Sequence, residues 1–352
     1  MRSSKKFLKS PVRPFEVKSS ANIVDAVRMM KDTSFQGRSL GTALEIWEEM
    51  LRAKTTIFMG LAGAMVPAGM KKVVSFLIKN RLIDCLVSTG ANLFHDVAES
   101  LGVRHFKGTH RVDDTELYRS GIDRIYDIFA SEDEFRRADD WIVEFSGALS
   151  PYRPYTTREF LYLLGGELCA AGGKDGILVS AHRSGVPIYC PALGDSSIGI
   201  ALATANCRNG RGIQFDIIKD VIETTRIAAY AGATGVIYIG GGTPKNFIQQ
   251  TEVTASIVGK NVEGHKYAIQ ITQDSPQWGG LSGCTFEEAQ SWGKIAKKAS
   301  MVTVHADATI ALPLIVSALA SSMSLVRKRR RPSFLISGED LKIIKPKRRT
   351  PS

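Results

Sequence analysis

"GVIYIGGG", residues 235–242, is an unbroken run of apolar and β-branched residues that closes on three glycines, and "TPKNF" behind it opens a helical pattern. A continuous apolar run, unlike an alternating one, marks a strand covered on both faces, as in a parallel sheet. Six other stretches have the same form: "TTIFMG" (55–60), "DCLVSTG" (84–90), "GILVSA" (176–181), "VPIYCPALG" (186–194), "YAIQIT" (267–272) and "VTVHADA" (302–308). Each ends in small or polar residues, and helical patterns lie between them. In "SLGTALEIWEEML", Leu40, Leu44, Trp47 and Leu51 make one apolar stripe, and in "TTREFLYLLGGEL" Thr156 and Glu159 stand at capping-box spacing. This rhythm predicts an α/β, doubly wound, mostly parallel sheet with helices on both faces. "GALSPYRPY" (147–155), with two prolines, is expected to be a loop.

The 352 residues are 44% hydrophobic, enough for a large core. The net charge of +11 is carried by the ends: residues 1–18 hold +5 and residues 327–352 hold +8, leaving about −2 for the body. A basic N-terminal arm (1–19), one catalytic domain (20–325) and a basic, flexible C-terminal tail (326–352) are therefore expected. The tails suit contact with RNA or an anionic membrane, or serve only as solubilising arms. Five scattered cysteines without a CxxC pair indicate neither a disulfide framework nor a metal site. Together with an N-terminus that has no signal-length apolar stretch, they suggest a cytoplasmic protein. "TIALPLIVSALASSMSLV" (309–326) is uncharged over 18 positions, but Pro313 and its Ser/Thr content favour a buried helix over a membrane span.

In an open parallel sheet the ligand lies beyond the carboxyl ends of the strands. That places "GLAGAMVP" (60–67), "STGAN" (88–92), "DSS" (195–197), Gly240 to Gly242, Gln273 with Asp274, and Asp307 on one rim. Glycines followed by helix starts suit the phosphates of a dinucleotide, although no GxGxxG is present and "GGG" is equally often a plain tight turn. Asp195 and Asp307 could accept from ribose hydroxyls or cap the next helix.

"EEAQSWGKIAKKAS" (287–300) sets Lys294 after Trp292 and Gly293, where a helical pattern is expected to begin. Three lysines in five residues (294, 297, 298) fit a solvated face. A lysine held partly desolvated beside an indole would instead be a nucleophile.

"GLAGAMVPAG", "STGAN-x-x-HD", "CPALGDSSIG", "IYIGGGTPKNF", "GGLSG", "EEAQSWGKI" and "VTVHADATIALPLI", in this order, resemble the deoxyhypusine synthase family over roughly residues 35–320, in its archaeal and bacterial branch. The resemblance implies a homotetramer with active sites between paired subunits. It also implies NAD-dependent oxidation of spermidine or a similar polyamine, an aminobutyl imine on a lysine, and transfer to an acceptor amine. Matched by position, Lys294 is the imine-forming lysine, Trp292 lies along the substrate, and Glu288 pairs with an ammonium. Gly63, Ala64, Met65, Thr89, Gly90, Ala91, His95, Asp195, Gly241, Gln273, Asp274, Asp307 and Ala308 match NAD-lining positions. His95, Asn246, Gly279 and Leu281 fall in the polyamine pocket. Asn246 replaces a histidine there, Phe94 and His95 replace an acidic pair, and Ile200 and Leu281 replace aspartates.

These departures leave the acceptor open between a translation-factor lysine, giving deoxyhypusine, and a small diamine such as putrescine, giving homospermidine. Two other classes compete: an NAD-dependent enzyme of another reaction, such as a deacylase or amine dehydrogenase, and an RNA- or membrane-binding protein acting through its basic ends.

Overall fold

The computed structural model describes residues 7–344, apart from residues 211, 330 and 338. Six strands build one parallel sheet: β1 (Thr56–Leu61), β2 (Cys85–Ser88), β3 (Ile188–Tyr189), β4 (Thr234–Ile239), β5 (His265–Thr272) and β6 (Ile295–His305). Their spatial order is β6-β5-β4-β1-β2-β3. The strand order reverses between β1 and β4, the topological switch point where such sheets bind ligands. β1 and β4 pair from Thr56↔Thr234 to Leu61↔Ile239, and every residue of both strands is buried, as their continuous apolar composition requires.

One expected strand is a helix. Residues 176–181 open the helix Ile177–Ser184, because the Asp96 carboxylate accepts from Ile177 N and Leu178 N, both at 2.8 Å, and so caps its first turn from another helix. "ILVSA" is apolar enough for either state, and a contact 81 residues away decides it.

The helical patterns hold. Phe35–Arg52 buries Leu40, Leu44, Trp47 and Leu51, and the Trp47 indole donates to Leu82 O at 3.2 Å. Thr156 caps Thr157–Ala170 by accepting from Glu159 N, but only half of the capping box forms. The Glu159 carboxylate turns instead to Arg153, at 2.7 and 3.0 Å, whose guanidinium lies over Tyr155; the expected loop over 147–155 ends there in a short strand, Pro154–Tyr155, paired with Gln214–Phe215. Ala308–Ala320 is the buried helix expected from 309–326. Its 13 residues span roughly 20 Å, short of a bilayer core of about 30 Å. No helix among the described residues is long and apolar enough to cross a membrane.

The C-terminal region departs most from expectation. Instead of a flexible tail, Ser333–Ser337 and Asp340–Ile344 form an antiparallel hairpin that buries Phe334 against the sheet's second core, with Ile336, Leu341 and Ile343 packed beside it. Arg329 is fully buried, pairs with Asp84 and donates to Arg81 O and Thr55 O. Residues 1–6 and 345–352 of the two basic ends lie outside the described residues.

Beneath the hairpin runs a buried polar network. Arg158 pairs with Glu223, which also accepts from the Tyr189 hydroxyl, while Asp220 accepts from Thr157 N and Oγ1 through one oxygen only. Burial pushes the Asp220 carboxyl up to about 7. A raised acid favours its protonated form in the fold, so the stability it gives is complete below about pH 3.8 and is lost as pH rises through about 7. Asp220→Asn is expected to flatten a decline of roughly 2–4 kcal/mol over that window. Melting curves of wild type and variant from pH 5 to 8 check this. His95, depressed to about 4, contributes the opposite slope at the acid end in both proteins and cancels in the comparison.

Candidate active site

A cleft of about 300 Å³ opens at the switch point, beyond the carboxyl ends of β1, β4, β5 and β6. Of the residues matched to NAD-lining positions, Gly63, Met65, Gln273, Asp274, Asp307 and Ala308 line it directly. Ser282, Thr272 and Thr309, which were not singled out from sequence, line it as well. Gly241 caps the helix Gly242–Ile257 beside the cleft, and a Cβ there would stand 2.4 Å from Ser282 Cα. Only glycine allows the 280–284 loop to lie so close that Gly242 N donates to Ser282 Oγ at 3.1 Å. Gly241→Ala is therefore expected to cost about 1–3 kcal/mol of unfolding free energy, the range for overpacking, as read by denaturant titration.

Thr89, Gly90 and Ala91 begin the helix Gly90–Ser100 after β2, and Thr89 Oγ1 reaches Gly63 O at 3.3 Å across the rim. Asn92 completes this joint: its Oδ1 accepts from Val66 N, and its amide nitrogen donates to Thr89 Oγ1. Ala64 follows Gly63 in the same turn. Asp195 is exposed, and Ser196 rather than Asp195 caps the next helix, Ser197–Asn209. A Cβ on Gly90 would meet Ser196 Oγ at 2.3 Å, so the two loops touch. Asp307 takes its capping alternative, accepting from Thr309 N and Oγ1 at 2.7 and 2.6 Å, and remains on the cleft wall. His95 is outside the cleft-lining set: it sits in the second turn of its helix against His105 and Phe135.

Lys294 does not begin a helix. Phe286–Ser291 ends at Trp292, Gly293 turns the chain at φ +70°, and Lys294 precedes the first residue of β6. The helix is short because Thr285 caps it at one end and the lysine's own N–H returns to Ala289 O at the other. The Lys294 ammonium is half-buried, donates to Asn246 Oδ1 at 3.1 Å and lies 5.3 Å from the Trp292 ring centre, within cation–π range. Asn246 is one turn into Gly242–Ile257, so the backbone of the amine's partner lies roughly 6 Å along that helix from the glycine turn.

Lys245, next to Asn246, was missed. It is 1% exposed, donates to Gln270 Oε1 at 2.8 Å and to Cys284 O, and burial pulls its amine down to about 8. Gln270 in turn donates to Gly240 O and Ser282 O, so the pair pins the 280–284 loop to the glycine turn. The signal was present in the sequence: Lys245 falls in phase with Ile248, Glu252 and Ala255 on the buried stripe of its helix.

Glu288, on the short helix, is exposed near Cys284, and burial as the leading cause raises the Cys284 thiol. Gly279, at φ +68°, closes the turn Pro276–Trp278. Trp278 and Leu281 are exposed, as is Trp292 beside Lys294, and Ile200 is exposed on its own helix. The described residues hold no group of His, Cys, Asp or Glu suited to a metal.

An open sheet ordered 3-2-1-4-5-6, with a cleft at its switch point, defines a doubly wound α/β protein of the class that binds its ligand beyond the strand ends. The family model for deoxyhypusine synthase matches residues 25–319, and the chain belongs to that family. "Probable deoxyhypusine synthase 2" of Methanosarcina mazei is 53% identical over 336 residues, covering 95% of this chain and 96% of the relative. Its namesake in Archaeoglobus fulgidus is 54% identical over 310 residues, 87% of this chain and 99% of the relative. The "Deoxyhypusine synthase-like protein" of Chlorobaculum tepidum is 40% identical over 314 residues, covering 88% and 89%. A solved protein from Entamoeba histolytica, provisionally named a deoxyhypusine synthase, shares the fold at TM-score 0.61 and 17% identity, covering 89% of this chain and 98% of that one. The chain is thus an enzyme of the aminobutyl-transferring class.

Proposed function

We propose that the chain transfers the aminobutyl group of spermidine, with NAD, through an imine on Lys294 to a lysine of an acceptor protein. The observation that carries this reading is the Lys294 amine, sheltered on Asn246 one turn along the helix that starts at the glycine turn of the cleft. NAD suits that cleft: it lies at the sheet's switch point, where the helices starting at Gly90 and Ala308 turn their amino ends toward the rim. When bound, NAD would take a hydride from the carbon beside the secondary amine and later return it.

Lys294 adds to the oxidised carbon once its nitrogen is unprotonated, expelling diaminopropane, and the acceptor amine then displaces Lys294. Trp292 offers its ring face to the polyamine chain, and Glu288 offers a carboxylate to an ammonium. The acceptor reading follows the relatives, whose names specify deoxyhypusine formation; the small-diamine product has no such support. A basic-tail function loses one of its cations, since Arg329 is spent on Asp84.

A homotetramer, in which a second subunit would cover Trp278, Leu281 and Trp292, belongs to the same reading and is checked by solution mass. The decisive experiment incubates the protein with spermidine and NAD, reduces with borohydride and maps the adduct. A mass increment on Lys294 with diaminopropane release is expected. Release without any adduct, or steady accumulation of NADH, would refute the mechanism.

A further inference from the structure

The cleft at the switch point is unbalanced in charge. Asp274 and Asp307 stand on its wall, and among the described residues that line it there is no lysine or arginine. A dinucleotide brings phosphates, so an anion would enter a site whose side-chain charges are both negative. Helix amino ends offset part of that repulsion. A full positive charge lies one layer further back.

That charge is Lys245. The helix Gly242–Ile257 turns it into the core, where it is 1% exposed. Its ammonium donates to Gln270 Oε1 at 2.8 Å and to Cys284 O, and lies 5.8 Å from the Phe286 ring centre. All three partners are neutral. No carboxylate within the described residues forms a salt bridge with it; the titratable groups that act on it are the Cys284 thiol, Glu288 and Lys294. A buried charge without a counter-ion is strongly unfavourable, and an apolar side chain of the same length would fill the space without that cost.

One side chain separates Lys245 from the cleft. The Gln270 amide takes the lysine's hydrogen at Oε1 and donates from Nε2 to Gly240 O and Ser282 O, at 2.9 and 2.8 Å, and Gly240 and Ser282 both line the cleft. Gln270 is itself 1% exposed, so packed protein rather than solvent fills the gap. Charges act on each other several times more strongly across such matter than through water.

We propose that Lys245 is a positioning residue for the cofactor: its charge, set behind Gln270, Gly240 and Ser282, holds the anionic phosphates of NAD in the cleft without touching them. The inference rests on the NAD reading above. It accounts for the lysine's lack of a carboxylate partner, because an ion pair there would cancel its field in the cleft. The bound anion is the counter-ion. Burial pulls the Lys245 amine down to about 8, so the attraction is present below that pH and is lost as pH rises through it. Burial raises the Cys284 thiol, which keeps it uncharged over the same window. By linkage, a bound anion must in turn favour the charged lysine.

Calorimetric titration of the full-length protein with ADP-ribose and with adenosine tests this, since the two share a base and a ribose but only the first carries the phosphates. In wild type, the advantage of ADP-ribose over adenosine should fall about tenfold between pH 7 and pH 9.5. Lys245→Met, uncharged and of similar length, should show the reduced advantage at both pH values, with adenosine affinity within about twofold of wild type. A lysine that only props the 280–284 loop would weaken both ligands alike in the variant and leave the wild-type ratio flat with pH. Either that pattern or a wild-type ratio in the variant overturns the proposal. Should the variant not fold, the wild-type pH series decides alone. Wild type that binds neither ligand refutes the cofactor reading and this inference together. A missing borohydride adduct on Lys294 with the pH-dependent ratio intact refutes the transfer step and supports the role of Lys245.

Discussion

Lys294→Ala is expected to abolish aminobutyl transfer, lowering kcat by roughly 10⁴-fold or more, as removal of a covalent nucleophile does. The fold should not notice. The side chain is half-buried, its amine donates to Asn246, and no carboxylate within the described residues forms a salt bridge with it. Loss of that contact should move unfolding free energy by no more than about 0.5 kcal/mol, the range for surface substitutions. NAD affinity, read by fluorescence titration, should stay within about threefold, because Lys294 is not among the residues that line the cleft. Lys294→Arg separates charge from nucleophilicity: it can still donate to Asn246, yet its guanidinium cannot deprotonate and so cannot form an imine. Activity in either variant above about a hundredth of wild type would place the covalent step elsewhere.

Arg329→Met should destabilise the chain by about 3–5 kcal/mol, the cost of stranding a buried charge. Asp84 is fully buried at the head of β2 and accepts from Ile57 N at 2.9 Å as well as from Arg81 and Arg329. Methionine fills the volume but returns none of the four hydrogen bonds that Arg329 gives to Arg81 O, Thr55 O and the two Asp84 oxygens. Arg329→Lys keeps the charge without the planar fork and should fall between. Ending the chain after Val326 removes the hairpin cover over Phe334's site too, and should be at least as damaging as Arg329→Met. Urea titration at fixed pH measures all three. A truncated chain as stable as wild type would mean that the C-terminal segment only rests on the body. The comparison also guards against a trap: activity lost on removing residues 327–352 would reflect unfolding rather than a missing RNA contact.

Much of the cleft rim could be read from the sequence. Gly63, Gln273, Asp274 and Asp307 were expected there because each follows directly on an apolar run, and strand ends in a parallel sheet all open on the same side. Asp307 illustrates the limit. Its two roles, cap and ribose acceptor, call for the same residue at the same place, and only geometry separates them. Lys245 was legible in principle from helical phase, but a lysine on a buried stripe gives no signal of which acceptors await it.

Local rhythm determined the strand–turn–helix alternation, the buried helix after β6 and the glycine-lined strand ends, since each depends on neighbours within a few residues. Tertiary structure decided what composition leaves degenerate. "ILVSA" became helix through Asp96, 81 residues away; the basic C-terminus became a docked hairpin through Asp84, 245 residues from Arg329; and Lys294 became sheltered through Asn246, 48 residues away. The physical reason is the same in each case: a buried charge or an uncapped helix end must find a partner, and the chain brings that partner into reach only after the sheet has closed.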